Sequence, residues 1–348
     1  MRIKKLQAEM RKNKLDCVIL TTQKDEEYNN NIFYYSGYKG YGILIVKPKN
    51  VTLLVPEMEF VKAKRTGINC KAILKGKKEE ILQKIIGKVK TIGIDELQTT
   101  ISEHSWFKKI IKANWKGIAS NLFEIRSIKD KKEINSIKKA CKIGDEIFNS
   151  ILNNFNYKTE KELATYIDLE IRKRGLVPSF PAIVASSKNA SVVHHNNEGK
   201  IKKGFLLLDF GVKVEGYCSD MSRTVYLGLP NKNEILEYEK VLSVQEDCIK
   251  MCLPGKKCIE VDSYAHKMLG ENFNHGLGHG VGLNIHEMPN FLPETTDELK
   301  EGNIVTIEPG IYISEKFGIR IEDTILIGNK KPICLTKSTK DLVILNWA

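Results

Sequence analysis

The chain has 348 residues, 42 % of them hydrophobic, and carries 55 basic against 43 acidic side chains for a formal net charge of +12. That length favours two domains over one. No apolar run approaches the ~20 residues of a membrane span, and the lysines are dispersed without a nucleic-acid-binding motif or interleaved aromatics, so neither a membrane nor a nucleic acid is an expected partner.

In chain order, residues 1–12 read as a charged amphipathic helix rather than a signal sequence, and a cytoplasmic protein is expected. Up to about residue 123, short apolar runs alternate with helical patterns. The runs are Cys17–Leu20, a hairpin from Gly42–Val46 through Pro48-Lys-Asn50 to Val51–Val55, and Thr91–Asp95. This is the pattern of a small α/β domain. A boundary is expected near Asn121–Lys129, dividing the chain into residues 1–123 and 124–348. Asp130 and Glu133 form a capping box for a helix running to about Asn154, with Ile134, Ile137, Ala140, Cys141, Ile143, Ile147 and Ile151 at helical spacing. Further helices are predicted over 159–174, 233–252 and 258–270. Helices enclosing hairpins make the second domain α+β. The eight cysteines include no CxxC pair and read as buried free thiols.

The segment from Phe205 to Val225 reads as two strands joined by a turn at Glu215-Gly216. Antiparallel partners then have numbers summing to 431, which sets Asp209 opposite Ser222 and Asp220 opposite Gly211. Both carboxylates fall on one face as diagonal neighbours about 7–8 Å apart at Cα, and the glycine leaves room for Asp220. A second hairpin, centred near Glu315, would place Glu308 directly across from Glu322. Like charges opposed on a sheet are destabilising, and an unpartnered charge in such apolar segments would cost several kcal/mol. A pair of divalent metal ions is the simplest partner for all four.

Between Phe273 and Pro289, His275 and His279 are spaced i, i+4. Glycines at 276, 278, 280 and 282 argue against a helix. In extended chain those four residues span about 13 Å, too far for both imidazoles to hold one ion through bonds of about 2 Å. One histidine should be a ligand and the other should stand over the substrate. Oxygen ligands with a single imidazole favour manganese, iron or cobalt, with zinc also open. Four carboxylates balance two dications, which would strongly acidify water held there.

The stretches Asp209–Arg223, His275–Pro289 and Thr306–Thr324, the last containing Ile307-Glu-Pro-Gly310 and Arg320-Ile-Glu-Asp323, resemble the pita-bread metallopeptidase family of methionine aminopeptidases, Xaa-Pro aminopeptidases and Xaa-Pro dipeptidases. The resemblance runs from about residue 124 to the C-terminus. It implies that Asp209 chelates one metal ion, that Asp220 and Glu322 bridge, and that His279 and Glu308 hold the other. It further implies a catalytic His194, with His275, His286 and Arg320 as active-site groups and Glu308 as proton carrier. Residues 1–123 resemble the N-terminal domain of prolidases and creatinase relatives, which methionine aminopeptidases generally lack. Peptides with proline at the second position are therefore the implied substrates, and a homodimer the implied assembly.

Departures from the family pattern are few: Val193 where proline is common, Ser187 where glycine is usual, and Asn284 where an acidic residue is common. Asn290 stands where dedicated dipeptidases often carry an arginine for the dipeptide's carboxylate, and no Lys or Arg lies between His286 and Lys300. Peptides longer than two residues are thus expected to be accepted. A metal-free binding module of this fold, or a creatinase-like amidinohydrolase, would lack the ligand set, which is complete here.

Overall fold

The structure, a computed structural model, describes residues 2–23 and 26–346. Two units fold around separate cores, dividing between Arg126 and Ser127.

In the first unit, six strands form one sheet in the order Cys70–Ile73, Val51–Pro56, Ile43–Val46, Cys17–Thr21, Thr91–Ile94 and Asn114–Gly117. The predicted hairpin closes with Lys47 N–H donating to the Asn50 carbonyl at 2.8 Å, its strands pairing Val46 with Val51. The helix Arg2–Lys12 buries Leu6 and Met10 and leaves its charges outside. This is the α/β arrangement expected from the alternation of apolar runs and helical patterns.

In the second unit, the helix Lys131–Asn153 starts at Asp130, whose carboxylate caps the N–H groups of Lys132 and Glu133 while Glu133 reaches back to the Asp130 N–H. Its buried stripe of Ile137, Ala140, Cys141, Ile147, Phe148 and Ile151 packs with the helix Glu160–Lys173 against the strands Gly204–Phe210 and Met221–Leu227. Burying each such large side chain contributes roughly 1.5–3 kcal/mol. A second helix pair, Lys232–Met251 and Cys258–Leu269, packs in the same way with the strands Ile304–Ile307 and Asp323–Ile327. Helix pair and hairpin thus occur twice, as a duplicated half-domain would give. All eight cysteines are free thiols, most of them buried.

The registers of both hairpins follow the turn positions read from sequence. Asp209 pairs with Ser222 and Lys213 with Cys218, each summing to 431. In the other hairpin, Ile307 pairs with Asp323 and Gly310 with Arg320, each summing to 630. Both ladders break at carboxylates: Asp220 stands in the first gap and Glu308 and Glu322 in the second, while Asp209 keeps its regular pair. The first loses regular pairing between Phe210–Met221 and Lys213–Cys218, and the second between Ile307–Asp323 and Gly310–Arg320. Such breaks bend a strand and re-aim its side chains.

One detail differs from expectation. A Cβ at Gly211 would land on the Ser219 carbonyl oxygen, not on Asp220, so glycine is needed for close backbone approach. Ser219 seals the break by donating its N–H to the Val212 carbonyl at 2.9 Å while its hydroxyl accepts from Val212 N–H at 3.0 Å. Gly211→Ala should therefore lower stability by about 1–3 kcal/mol, the cost of overpacking. Denaturant unfolding of the variant checks this, and wild-type stability would show that the backbone has room.

Candidate active site

The two hairpins meet edge to edge, and hydrogen bonds between them set the positions of the acidic side chains. Glu322 N–H donates to the Ser222 carbonyl (3.1 Å), Thr324 Oγ1 to the Asp220 carbonyl (2.7 Å), and Thr224 Oγ1 to the Arg320 carbonyl (3.0 Å). Arg223 ties the seam from behind, its Nη1 donating to the carbonyls of both Ser222 and Glu322.

Within this frame, the ligand atoms of Asp220, His279 and Glu322 lie within 4.8 Å of one another. Glu308 joins them, its Oε1 3.4 Å from His279 Nε2. Asp209 is held to one side, where its Oδ2 accepts from Arg320 Nη2 at 2.6 Å. Ser222 Oγ donates to Glu322 Oε2 (2.9 Å) and accepts from Arg320 Nε (2.9 Å).

This leaves three buried carboxylate oxygens without a hydrogen-bond partner: Asp209 Oδ1, Asp220 Oδ1 and Glu322 Oε1. Buried acceptors are almost always satisfied. Oxygens orphaned together beside an imidazole have the donor set and spacing that suit divalent cations. The electrostatics agree. Burial, then repulsion from Glu322, Asp209 and Glu308, drives the Asp220 carboxyl well above its usual range. Burial and the charges of Glu308 and Asp209 do the same to Glu322. Glu308 lines a cavity and keeps 18 % of its side chain exposed, yet burial pushes it up to about 8 against the pull of Arg320. Burial, with His286 nearby, lowers His279 to about 4, so its imidazole is neutral and free to act as a ligand.

His279 lies in the strand Gly278–Gly280, in extended rather than helical chain. A Cβ at Gly278 would meet the Thr306 carbonyl, and Thr306 Oγ1 accepts from His279 N–H (3.0 Å). His275 is directed elsewhere: its Nε2 is 2.8 Å from the Tyr312 hydroxyl, and burial lowers it to about 4. Tyr312 in turn lies 2.8 Å from Arg320 Nη1. His286 packs edge-on to His279 with ring centroids 4.4 Å apart. His194, His275, His286 and Arg320 all line the same cavity of about 410 Å³ as Asp209, Asp220, His279 and Glu308. A larger cavity of about 1050 Å³ lies beside the helix Glu160–Lys173, but no carboxylate–histidine cluster lines it, so chemistry rather than size identifies the site.

Residues 135–329 match metallopeptidase family M24, and residues 2–128 match the creatinase/prolidase N-terminal domain. The chain belongs to the M24 metallopeptidases. A Xaa-Pro dipeptidase of Pyrococcus horikoshii is 33 % identical to this M24 chain, with 98 % of each chain covered. Among solved structures, the Xaa-Pro dipeptidase from Bacillus anthracis has a TM-score of 0.92 at 30 % identity, covering 99 % of each chain. The X-Pro aminopeptidase from Thermotoga maritima MSB8 has a TM-score of 0.88 at 28 % identity, covering 97 % of this chain and all of that one. The pita-bread architecture preceded by a creatinase-type domain is thereby established. No helix among the described residues is long and apolar enough to cross a membrane.

The sequence alone does not mark Tyr312 or Thr306 as site residues, and it places Ser222 only as the register partner of Asp209. The hairpin register contained a signal for the tyrosine: position 312 pairs with Gly318 and lies diagonal to Arg320 on the same face.

The raised carboxyls carry a pH signature. A carboxyl whose folded pKa exceeds its unfolded value binds more protons folded than unfolded, so its contribution to stability is lost as pH rises through the folded value. Metal-free M24 protein should therefore lose stability between the ordinary glutamate value of 4.5 and about 8, the window set by Glu308. Protein loaded with manganese should not. Thermal unfolding midpoints across that range, with chelator and with metal, make the comparison, and parallel profiles would refute it.

Proposed function

We propose that this chain is a dinuclear metallopeptidase that hydrolyses the bond between an N-terminal residue and proline, in dipeptides and in longer peptides. The orphaned oxygens of Asp209, Asp220 and Glu322 around a neutral His279, with both aspartates and the histidine at the wall of a substrate-sized cavity, carry this reading. The names and folds of the full-length relatives support the substrate class. Asp209, Asp220, His279, Glu308 and Glu322 would hold two divalent cations, with manganese, cobalt or iron favoured by the oxygen-rich set and zinc a further candidate. When bound, such cations acidify water near neutral pH and polarise a carbonyl.

The chain's own groups supply the rest. Glu308, adjacent to His279 and reaching the cavity, takes up a proton and delivers it to the leaving nitrogen. His275 is oriented by the Tyr312 hydroxyl, and with His194 and His286 it offers hydrogen bonds to the carbonyl oxygen or the departing amine. Arg320 fixes Asp209 and Tyr312 through a guanidinium whose Nε, Nη1 and Nη2 are all engaged. It is the only Lys or Arg among the described residues lining this cavity, and Asn290 lines the wall too. A dipeptide's free carboxylate therefore finds no uncommitted Lys or Arg there, which favours longer peptides. A cytoplasmic homodimer completes the reading on family resemblance.

Two measurements test it. Glu308→Gln should lower kcat on an Xaa-Pro peptide by about 10²–10⁴-fold, the usual worth of a general acid–base; near-wild-type turnover would remove Glu308 from the chemistry. Xaa-Pro peptides of two, three and more residues, assayed with manganese or cobalt, should all be cleaved, the longer ones with higher kcat/KM. Release of the N-terminal residue from none of them would overturn the peptidase reading, and cleavage of dipeptides alone would overturn the length preference.

A further inference from the structure

Glu160 is a glutamate without surface: its exposure is 0 %, and it sits in the first turn of the helix Glu160–Lys173, outside the candidate cluster of Asp220, His279 and Glu322. Its carboxylate is nonetheless fully subscribed. Oε1 accepts from the Ser186 N–H (2.7 Å) and from Asn189 Nδ2 (3.0 Å). Oε2 accepts from the Gly199 N–H (2.6 Å) and lies 2.7 Å from His195 Nε2. Ser186 ends the strand Ile183–Ser186, a 3-10 turn over Ser187–Ser191 follows, and Gly199 comes just before the isolated bridge of Lys200 with Thr159. One buried carboxylate thus grips both ends and two interior side chains of the loop that contains His194.

The loop has been shaped around this grip. A Cβ at Gly199 would collide with the Asn189 amide and with Glu160 Oε2. Ser187 and Asn197 adopt left-handed conformations, with φ of 55° and 59°, which L-residues take up at a cost and keep only where surrounding structure holds them. Asn197 further locks the exit, its Oδ1 accepting from Val184 N–H (2.6 Å) and its Nδ2 donating to the Ala182 carbonyl (2.8 Å). From Ser191 to Glu198, residues alternate between half-buried and exposed. His195 turns inward to Glu160, and His194, its neighbour, turns outward to line the cavity with Asp209 and Glu308.

We infer that Glu160 and His195 form a positioning clamp that aims His194 at the substrate: the hydrogen bond from His195 to a buried carboxylate fixes the side of the loop on which His194 emerges. The inference rests on the reading that His194 works on the substrate. A displacement of about 1 Å in such a group can cost about a hundredfold in rate, so the clamp is worth retaining even though it touches no reacting atom. His195 keeps 13 % of its side chain exposed, which makes it the safer site for substitution than Glu160, whose loss leaves several buried donors unpaired.

The test is a double-mutant cycle in the manganese-loaded full-length enzyme, with kcat and KM measured on an Xaa-Pro tripeptide. His194→Ala and His195→Ala should each lower kcat, the latter by about 10–100-fold, while metal content and unfolding midpoint of His195→Ala stay near wild type. His195→Gln, whose amide can donate to the same Glu160 oxygen, should recover most of the loss. In the His194→Ala background, His195→Ala should add nothing, because the residue it aims is already gone. An equal further loss in that background, or a His195→Ala enzyme at full rate beside an impaired His194→Ala enzyme, would overturn the clamp alone. Full activity of His194→Ala would overturn the role of His194 and the clamp with it.

Discussion

Several carboxylates closer together than water would ever leave them are the condition to which the second unit is built. Asp209, Asp220 and Glu322 have relative exposures of 9 %, 5 % and 1 %, and each keeps an oxygen with no hydrogen-bond partner. An isolated buried carboxylate costs several kcal/mol after relaxation, so a fold that gathers them without compensation would lose most of its stability. The protein does not avoid the cost by spreading them apart. Two hairpins are joined by a row of hydrogen bonds at the seam, among them those of Glu322 N–H, Thr324, Thr224 and Arg223, in a way that keeps the acids together. Both helix pairs then hold the hairpins from outside.

Adjacent residues Glu322 and Asp323 show what this means chemically. Asp323 points the other way, toward Arg223 (2.7 Å), Lys340 (3.1 Å), Gln245 and Thr336. Burial would raise its carboxyl, but the two cations outweigh burial and hold it down to about 2. Glu322 has only Ser222 as donor and is driven up instead. One buried acid has its countercharge within the protein; its neighbour is left in want of one. Structural ion pairs perturb titration as well as active sites do, and the difference between these two lies in the partner list, which for Glu322 ends short.

Much of this was legible in the sequence because it depends on local rules. A turn at Glu215-Gly216 fixes a register sum, and that sum alone places Asp209 opposite Ser222; Glu315, in the left-handed conformation with φ of 57°, does the same for the second hairpin. The capping box at Asp130 and the helical spacing beyond it are equally local. What stayed hidden are bonds between residues about a hundred positions apart: Arg320 with Asp209, Ser222 with Glu322, and Arg223 with Asp323. Nor does any local pattern announce that Glu160 at a helix start reaches His195, since a first-turn glutamate reads as ordinary helix N-terminal chemistry. From sequence, Gly211 only leaves room for Asp220; the closer constraint is the Ser219 backbone carbonyl, whose approach leaves no mark on the sequence.

The central claim is that bound cations, and not protons, are the native partners of the acidic cluster. The most direct measurement is equilibrium metal content after dialysis against manganese at neutral pH, for wild type and for Asp220→Asn. The account predicts two ions per wild-type chain and a marked loss from the variant, whose missing charge weakens the shared site. A folded wild-type chain that retains no metal, or a variant that retains the full complement, would contradict it.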